Sequence, residues 1–239
     1  DRDAFIRFKV SENHYQTLYF RLMERLNMEG GTAPPTVMRP RSLSLQQLHS
    51  CGADHLIDIR EPMAYASGHL PGAMSLPVSM ISAFAGWYIH EGESLALIAS
   101  DEAQLATAME HLVRIALDNV LGGYVGVVPA AAKGEKMQQT PMIDTSEVEA
   151  RLKNDTEGWT LLDVRDADER DTVAIEGSQH IYVGHLNKCW RELDKKHHYT
   201  LMCASGARAT IAAGWLASQG FENIDIYLGS MGAWQAAHK

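Results

Sequence analysis

The chain has 239 residues, 46% of them apolar and 21% charged, the balance of a folded globular protein with length for two modest domains or one large one. A formal net charge of −9 with no Lys/Arg run excludes a nucleic-acid backbone or an anionic membrane surface as the main ligand. Cys51, Cys189 and Cys203 are too few and too far apart for a disulfide framework, and there is no leader-like opening or bilayer-length apolar run, so the expected setting is cytoplasmic.

From Asn13 to Met28 the residues Tyr15, Leu18, Tyr19, Leu22, Met23 and Leu26 recur at helical spacing, with Asn13 and Gln16 placed as a capping pair and Gly30 past the end. One amphipathic helix is predicted there. The Gly- and Pro-rich run from Gly30 to Arg41 reads as a linker, and "PAAAKGEKMQQTPMID", Pro129 to Asp144, as a second. Three segments result: 1–40, a helical segment with its linker; 41–135; and 136–239. In the two larger ones, short apolar runs alternate with helical stretches; the runs are Leu56–Ile59, Leu95–Ile98, Leu161–Val164, Tyr199–Met202 and Ile224–Tyr227. That alternation predicts an α/β fold, each unit a mostly parallel central sheet flanked by helices. Ligands of such sheets bind beyond the carboxyl ends of the strands, and Cys203 stands at one.

The two units read as copies of each other. "HLIDIREPMAYASGHLPGAMSLPVSM" lies over "TLLDVRDADERDTVAIEGSQHIYVGH", so that Asp58 meets Asp163, Arg60 meets Arg165 and Gly72 meets Gly177 at one offset of 105. Further on, Ala99 meets Cys203 and Gln104 meets Arg208 at an offset of 104, and Gly122 is set against Gly229.

The stretch "YTLMCASGARATIAAGWLASQG" carries the chemistry. A helix is predicted from about Thr210, so the N–H groups of Ser205, Gly206, Ala207 and Arg208 lack helical partners and are expected to turn toward the Cys203 sulfur. The helix dipole and the Arg208 guanidinium add positive potential, which favours a thiolate. Ala204, Ser205, Gly206 and Ala207 are small and let the backbone approach an anion. A lone cysteine at a strand end is ordinarily an inert small hydrophobe. The glycine, the arginine and the small residues on one loop argue for chemistry instead.

"CASGAR" with its flanks resembles the active-site loop of rhodanese-like sulfurtransferases, and "IDIREPMAYASGHLPGA" resembles the other signature of that family. The resemblance implies a pair of rhodanese-like folds. It also implies a catalytic Cys203 that accepts a sulfane sulfur as a persulfide and passes it to a thiol or cyanide. Residues 204–208 would then bind the small-molecule donor, with no metal or organic cofactor. Asp163 and Arg165 match the family's D-x-R pair and are expected to be architectural, a charge pair pinning a loop. Ala174 and Glu176 stand where the first unit has His69 and Pro71, which puts the usual conformation of that loop in question. Arginine falls five positions after the cysteine. Phosphatases that share the fold place it six after, so phosphatase activity is disfavoured.

In the first unit "ASDEAQ" occupies the loop position. Alanine cannot carry sulfur, and Asp101 and Glu102 would repel an anionic donor, so this unit is expected to be silent and to serve packing or docking. His69 is expected to be structural, Ser100 to be solvated, and His197 and His198 to lie in a solvated turn; no metal-ligand spacing is present. The opening "DRDAFIRFKVSENHYQTLYFRLMERLNMEGG" resembles the C-terminal end of metallo-beta-lactamase-fold hydrolases fused to two rhodanese domains. With the start at Asp1 rather than at a methionine, this implies a fused or associated persulfide dioxygenase domain as a partner. The competing reading is a non-catalytic tandem module in which Cys203 is passive or redox-sensing.

Overall fold

A computed structural model describes residues 1–11, 15–17, 19–30 and 39–239. Two helices open it, α1 (Arg2–Ser11) and α2 (Tyr19–Glu29). The helix expected from Asn13 therefore starts later, because Tyr15 leaves helical geometry to stack on Tyr182 with ring centroids 4.5 Å apart. Asn13 of the expected capping pair and most of the 30–41 linker lie outside the described residues. The helix α1 was not foreseen; none of its residues is buried.

The first unit runs α3 (Leu45–Ser50), β1 (His55–Asp58), α4 (Pro62–Ser67), β2 (Met74–Ser75), α5 (Ile81–Tyr88), β3 (Leu95–Ala99), α6 (Glu102–Arg114), β4 (Val120–Val125) and α7 (Val127–Ala132). The second runs β5 (Met142–Ile143), α8 (Thr145–Lys153), β6 (Trp159–Asp163), α9 (Ala167–Thr172), β7 (Gln179–His180), α10 (Leu186–Cys189), β8 (His198–Met202), α11 (Ala207–Ser218), β9 (Ile224–Tyr227) and α12 (Ser230–Ala237). The sheet orders are β2-β1-β3-β4 and β5-β9-β8-β6-β7, and every pairing within them is parallel. Where the second sheet has β5 on its edge, the first has a single parallel bridge from Ser42 to Gly123. Parallel strands covered on both faces need continuous apolar runs, and all five residues of β3 are buried accordingly.

The internal repeat holds at the level of single bonds. Asp58–Arg60 and Asp163–Arg165 form the same buried pair, with Nη2 to Oδ2 at 2.6 Å in each. Each arginine also donates to a carbonyl eight residues on, Gly68 in one unit and Val173 in the other, both at 2.8 Å. Tyr65 donates to the Ala73 carbonyl, and Arg170, its counterpart, donates to the equivalent Ser178 carbonyl. The loop questioned at Ala174 and Glu176 keeps its turn: Ala73 N–H bonds Leu70 O and Ser178 N–H bonds Ile175 O, each at 3.1 Å, with Gly72 at φ 79° and Gly177 at φ 81°. One alignment fails. Gly122 lies within β4, and the partner of Gly229, which starts α12 at φ 76°, is Gly126, which starts α7 at φ 136°. Both sit where a strand turns sharply into a helix, a left-handed position that glycine tolerates best.

The units share one core. Helix α11 is wedged between them, with Ala209, Ile211, Ala212, Ala213, Gly214 and Leu216 all buried. Its small residues have a steric cause: a Cβ on Gly214 would stand 2.5 Å from the Ser75 backbone nitrogen across the junction. Tyr88 OH donates to Val183 O, Asn187 donates to Trp87 O, and the Tyr88 and Trp215 rings meet at 4.9 Å. His69 holds the connecting segment: its ring stacks on Tyr65 at 3.8 Å, and its backbone exchanges two bonds with Gln138, each 2.9 Å. Among the described residues no helix is long and apolar enough to cross a membrane.

Candidate active site

Strand β8 delivers Cys203 to the carboxyl edge of the second sheet, where its side chain is 1% exposed. Gly206 then takes φ 114° and its N–H donates to Cys203 Sγ at 3.0 Å. Helix α11 follows at once from Ala207, three residues earlier than expected, because the Gly206 turn lets the Thr210 N–H reach Gly206 O at 2.9 Å. Ala207 and Arg208 thus belong to the first turn, where N–H groups have no helical partner. No side chain caps this helix, so its positive end faces the sulfur loop uncovered.

The β9–α12 turn grips the same loop from behind. Ser230 Oγ accepts from the Cys203 N–H at 3.1 Å and donates to Tyr227 O at 2.9 Å. The N–H groups of Met231 and Gly232 bond the carbonyls of Cys203 and Ala204, each at 3.0 Å. Ser230 reaches this geometry at φ 51°, an unusual backbone state for a residue other than glycine.

Arg208, the residue expected at the donor's anion, makes a two-pronged pair with Glu169, one contact being 2.8 Å, and Asp166 Oδ2 lies 4.0 Å away. Hydrogen bonding from Arg208 pulls the Glu169 carboxyl from its ordinary 4.5 down to about 2. Burial opposes the charge on Arg208, yet the bonds to Glu169, and then the charges of Glu169, Cys203 and Asp166, hold its pKa above the usual arginine value. The guanidinium braces α9 against the cysteine loop and still lends positive potential to the sulfur. Asp163 and Arg165 lie beneath this loop pair, fully enclosed, and Arg165 also donates to Glu169 O at 3.3 Å.

A cavity of about 410 Å³ opens beside the loop. Ser205, Gly206, Ala207 and Thr210 form its floor, and Glu61, Pro62 and Met63 reach it from the first unit. Sequence reasoning missed those three residues, together with Glu169, Asp166 and Ser230. For Glu169 a signal was present: the repeat sets Glu169 against Ala64 as it sets Arg208 against Gln104, so both members of the pair are lost together in the first unit.

In the first unit the corresponding loop is filled from within. Asp101 caps α6 by accepting from Gln104 N–H at 2.8 Å, and Gln104 Oε1 accepts from Ser100 N–H at 2.8 Å. Side chains there occupy the backbone donors that an anion would need. Cys51 donates to Leu48 O at 3.1 Å, and Cys189 ends α10, both half-buried. His197 closes the expected turn, its N–H bonding Asp194 O at 3.1 Å, but is half-buried with its ring on Thr160 Oγ1 at 2.8 Å, whereas His198 lies outside the turn, opening β8 and contacting Asp225 at 2.9 Å. The described residues contain no cluster of three or more His, Cys, Asp or Glu able to hold a metal ion.

The family model described as "Rhodanese-like domain" matches residues 43–118, which carry β1–β3, and 144–237, which carry β6–β9. The chain belongs to the rhodanese-like domain family. This rhodanese-like chain is 31% identical over 97 residues to a Bacillus subtilis protein named "Putative sulfurtransferase YtwF", covering 41% of itself and 92% of that protein. It is 30% identical over 82 residues to the Actinobacillus succinogenes protein named "Thiosulfate sulfurtransferase GlpE", covering 34% of itself and 74% of that protein. A solved structure of a thiosulfate sulfurtransferase from Pseudomonas aeruginosa matches with a TM-score of 0.37 and 19% identity, over 81% of this chain and 41% of that one.

Proposed function

We propose that this rhodanese-like chain is a sulfurtransferase whose working thiol is Cys203. The observation that carries the reading is the Cys203 sulfur at a strand end, 3.0 Å from the Gly206 N–H and facing an uncapped helix start. Those N–H groups lie where a sulfur attacking a donor, and then the terminal sulfur it carries, would be held. The names of the two relatives support the same chemistry.

In the first step the Cys203 thiolate attacks the outer sulfur of thiosulfate, or of a low-molecular-weight persulfide. A new S–S bond forms to Cys203, the donor's S–S bond breaks, and sulfite or a thiolate leaves with the electron pair. The loop amides of residues 204–208 stabilise the terminal sulfur, and Arg208, held by Glu169, supplies charge from the side. In the second step an acceptor thiolate or cyanide attacks that terminal sulfur, and the Cys203 thiolate departs. Neither step needs a metal or an organic cofactor. The first unit is catalytically silent on this reading, since Ala99 offers no thiol and Gln104 closes the loop. The five-residue spacing from Cys203 to Arg208 favours sulfur over phosphoryl groups. The opening residues Asp1–Gly31 support, on their sequence alone, a metallo-beta-lactamase-fold persulfide dioxygenase as a fused or associated partner, and cysteine usage supports a cytoplasmic setting.

Incubation with thiosulfate or glutathione persulfide, followed by intact mass, is expected to add one sulfur to the native chain and none to Cys203→Ser. An unchanged native mass with both donors overturns the reading. The near-complete burial of Cys203 then favours the passive-thiol module instead.

A further inference from the structure

The cavity beside the cysteine loop has two walls of different origin. The second unit supplies Met142, Ile226 and Leu228, and the first unit supplies Pro62 and Met63. Met63 and Leu228 are 53% and 48% exposed, large apolar side chains left open at a concave site rather than packed away. Glu61 is the single charged residue of the lining. Its carboxylate has no hydrogen-bond or ion-pair partner among the described residues, and it starts α4 without capping it. The cation of the loop, Arg208, is absent from the lining, as is the buried Cys203 that lies behind Ser205 and Gly206 in the chain, and Arg208 is paired with Glu169.

We infer that this junction cavity seats the organic part of the sulfur acceptor and selects aliphatic thiols that carry no negative group beyond the reacting thiolate. The inference rests on the sulfurtransferase reading and deepens it by naming the acceptor class. An alkyl chain removes apolar wall from water. The start of α11 favours the thiolate end. A second anion would meet Glu61 with no cation to offset it, while an ammonium group would be attracted to it. The reaction is RS⁻ with Cys203–S–SH giving R–S–SH and the Cys203 thiolate, one S–S bond made and one broken.

The test uses the full chain, loaded with thiosulfate or cysteamine persulfide, desalted and checked by mass. Three thiols with the same two-carbon spacer then compete as acceptors: cysteamine, 2-mercaptoethanol and 2-mercaptoethanesulfonate, each rate corrected for the thiol's own ionisation. Cysteamine is expected to react fastest and the sulfonate slowest. Glu61→Gln should narrow that ratio by about threefold, the size of one screened charge, and Glu61→Lys should invert the order. Equal rates for the three thiols, or a ratio unmoved by Glu61→Lys, overturn the acceptor assignment while leaving the sulfurtransferase reading intact. Failure of the native chain to gain sulfur at the loading step overturns both.

Discussion

Ser230 shows how much of the site depends on one hydroxyl. It is fully buried, holds the Cys203 N–H and returns its own proton to Tyr227 O, all at a left-handed backbone position. Ser230→Ala leaves both partners unpaired in the interior, at an expected cost of about 1–3 kcal/mol. Urea unfolding would show it as a lower midpoint with unchanged slope, accompanied by slower persulfidation of Cys203. Glu169 belongs to the same scale. Its folded pKa of about 2 lies below the ordinary 4.5. The pair with Arg208 therefore contributes stability in full above pH 4.5 and loses it as pH falls toward about 2. Because Glu169 is partly open to water, Glu169→Gln is expected to cost no more than about 1 kcal/mol at neutral pH. The difference between native and variant unfolding free energies should shrink across that acid window. A constant difference from pH 7 to pH 2 would show that the pair is not what couples folding to protons.

At the scale of elements, the two loops at the ends of β3 and β8 share a framework and differ in what fills them. In one, Gln104 accepts from the Ser100 N–H; in the other, Arg208 at the matching place turns away to Glu169. A thiol alone should therefore not restore function to the first loop. Ala99→Cys, made together with Cys203→Ser, is expected to take up no sulfur from either donor in the intact-mass measurement. Uptake would show that the first loop binds the donor despite Gln104. Much of this level was readable in advance. The apolar runs marked β1, β3, β6, β8 and β9 but not β4, the longest strand, whose two central glycines break the apolar run, and the D-x-R spacing marked both buried pairs. The start of α11 was not readable, because a glycine followed by alanine and arginine is equally compatible with three more residues of loop. The observed start depends on Gly206 adopting φ 114° beneath the sulfur. The onset of α2 was missed for a similar reason: Tyr15 fits a helical face by spacing, but its ring finds Tyr182 from outside the helix.

At the scale of the whole molecule, α11 is at once the helix of the cysteine loop and the wedge between the units. The buried cluster that contains Ile57 and Leu97 of the first sheet also contains Leu162 and Leu201 of the second and Ala213 of α11 between them. Such a continuous core predicts one cooperative transition in urea, with tryptophan fluorescence and far-UV dichroism superimposing. Two resolved transitions would show that the units unfold independently. Gly214→Ala places a methyl against the Ser75 backbone, which cannot give way as a flexible side chain would. An overpacking cost of about 1–3 kcal/mol is expected, read as a lower melting temperature.

The amino-acid sequence by itself determined the strand and helix alternation, the duplication, the cysteine-bearing loop of the second copy and the absence of a thiol from the matching loop of the first. All of these depend on residue type and local spacing, which the chain carries without folding. The tertiary structure alone decided that Arg208 faces Glu169, that Ser230 supports Cys203 from a distant turn, and that Glu61, Pro62 and Met63 border the loop. Those contacts join residues from 27 to more than a hundred positions apart, and only the packing of α11 between two sheets brings such segments to the same place.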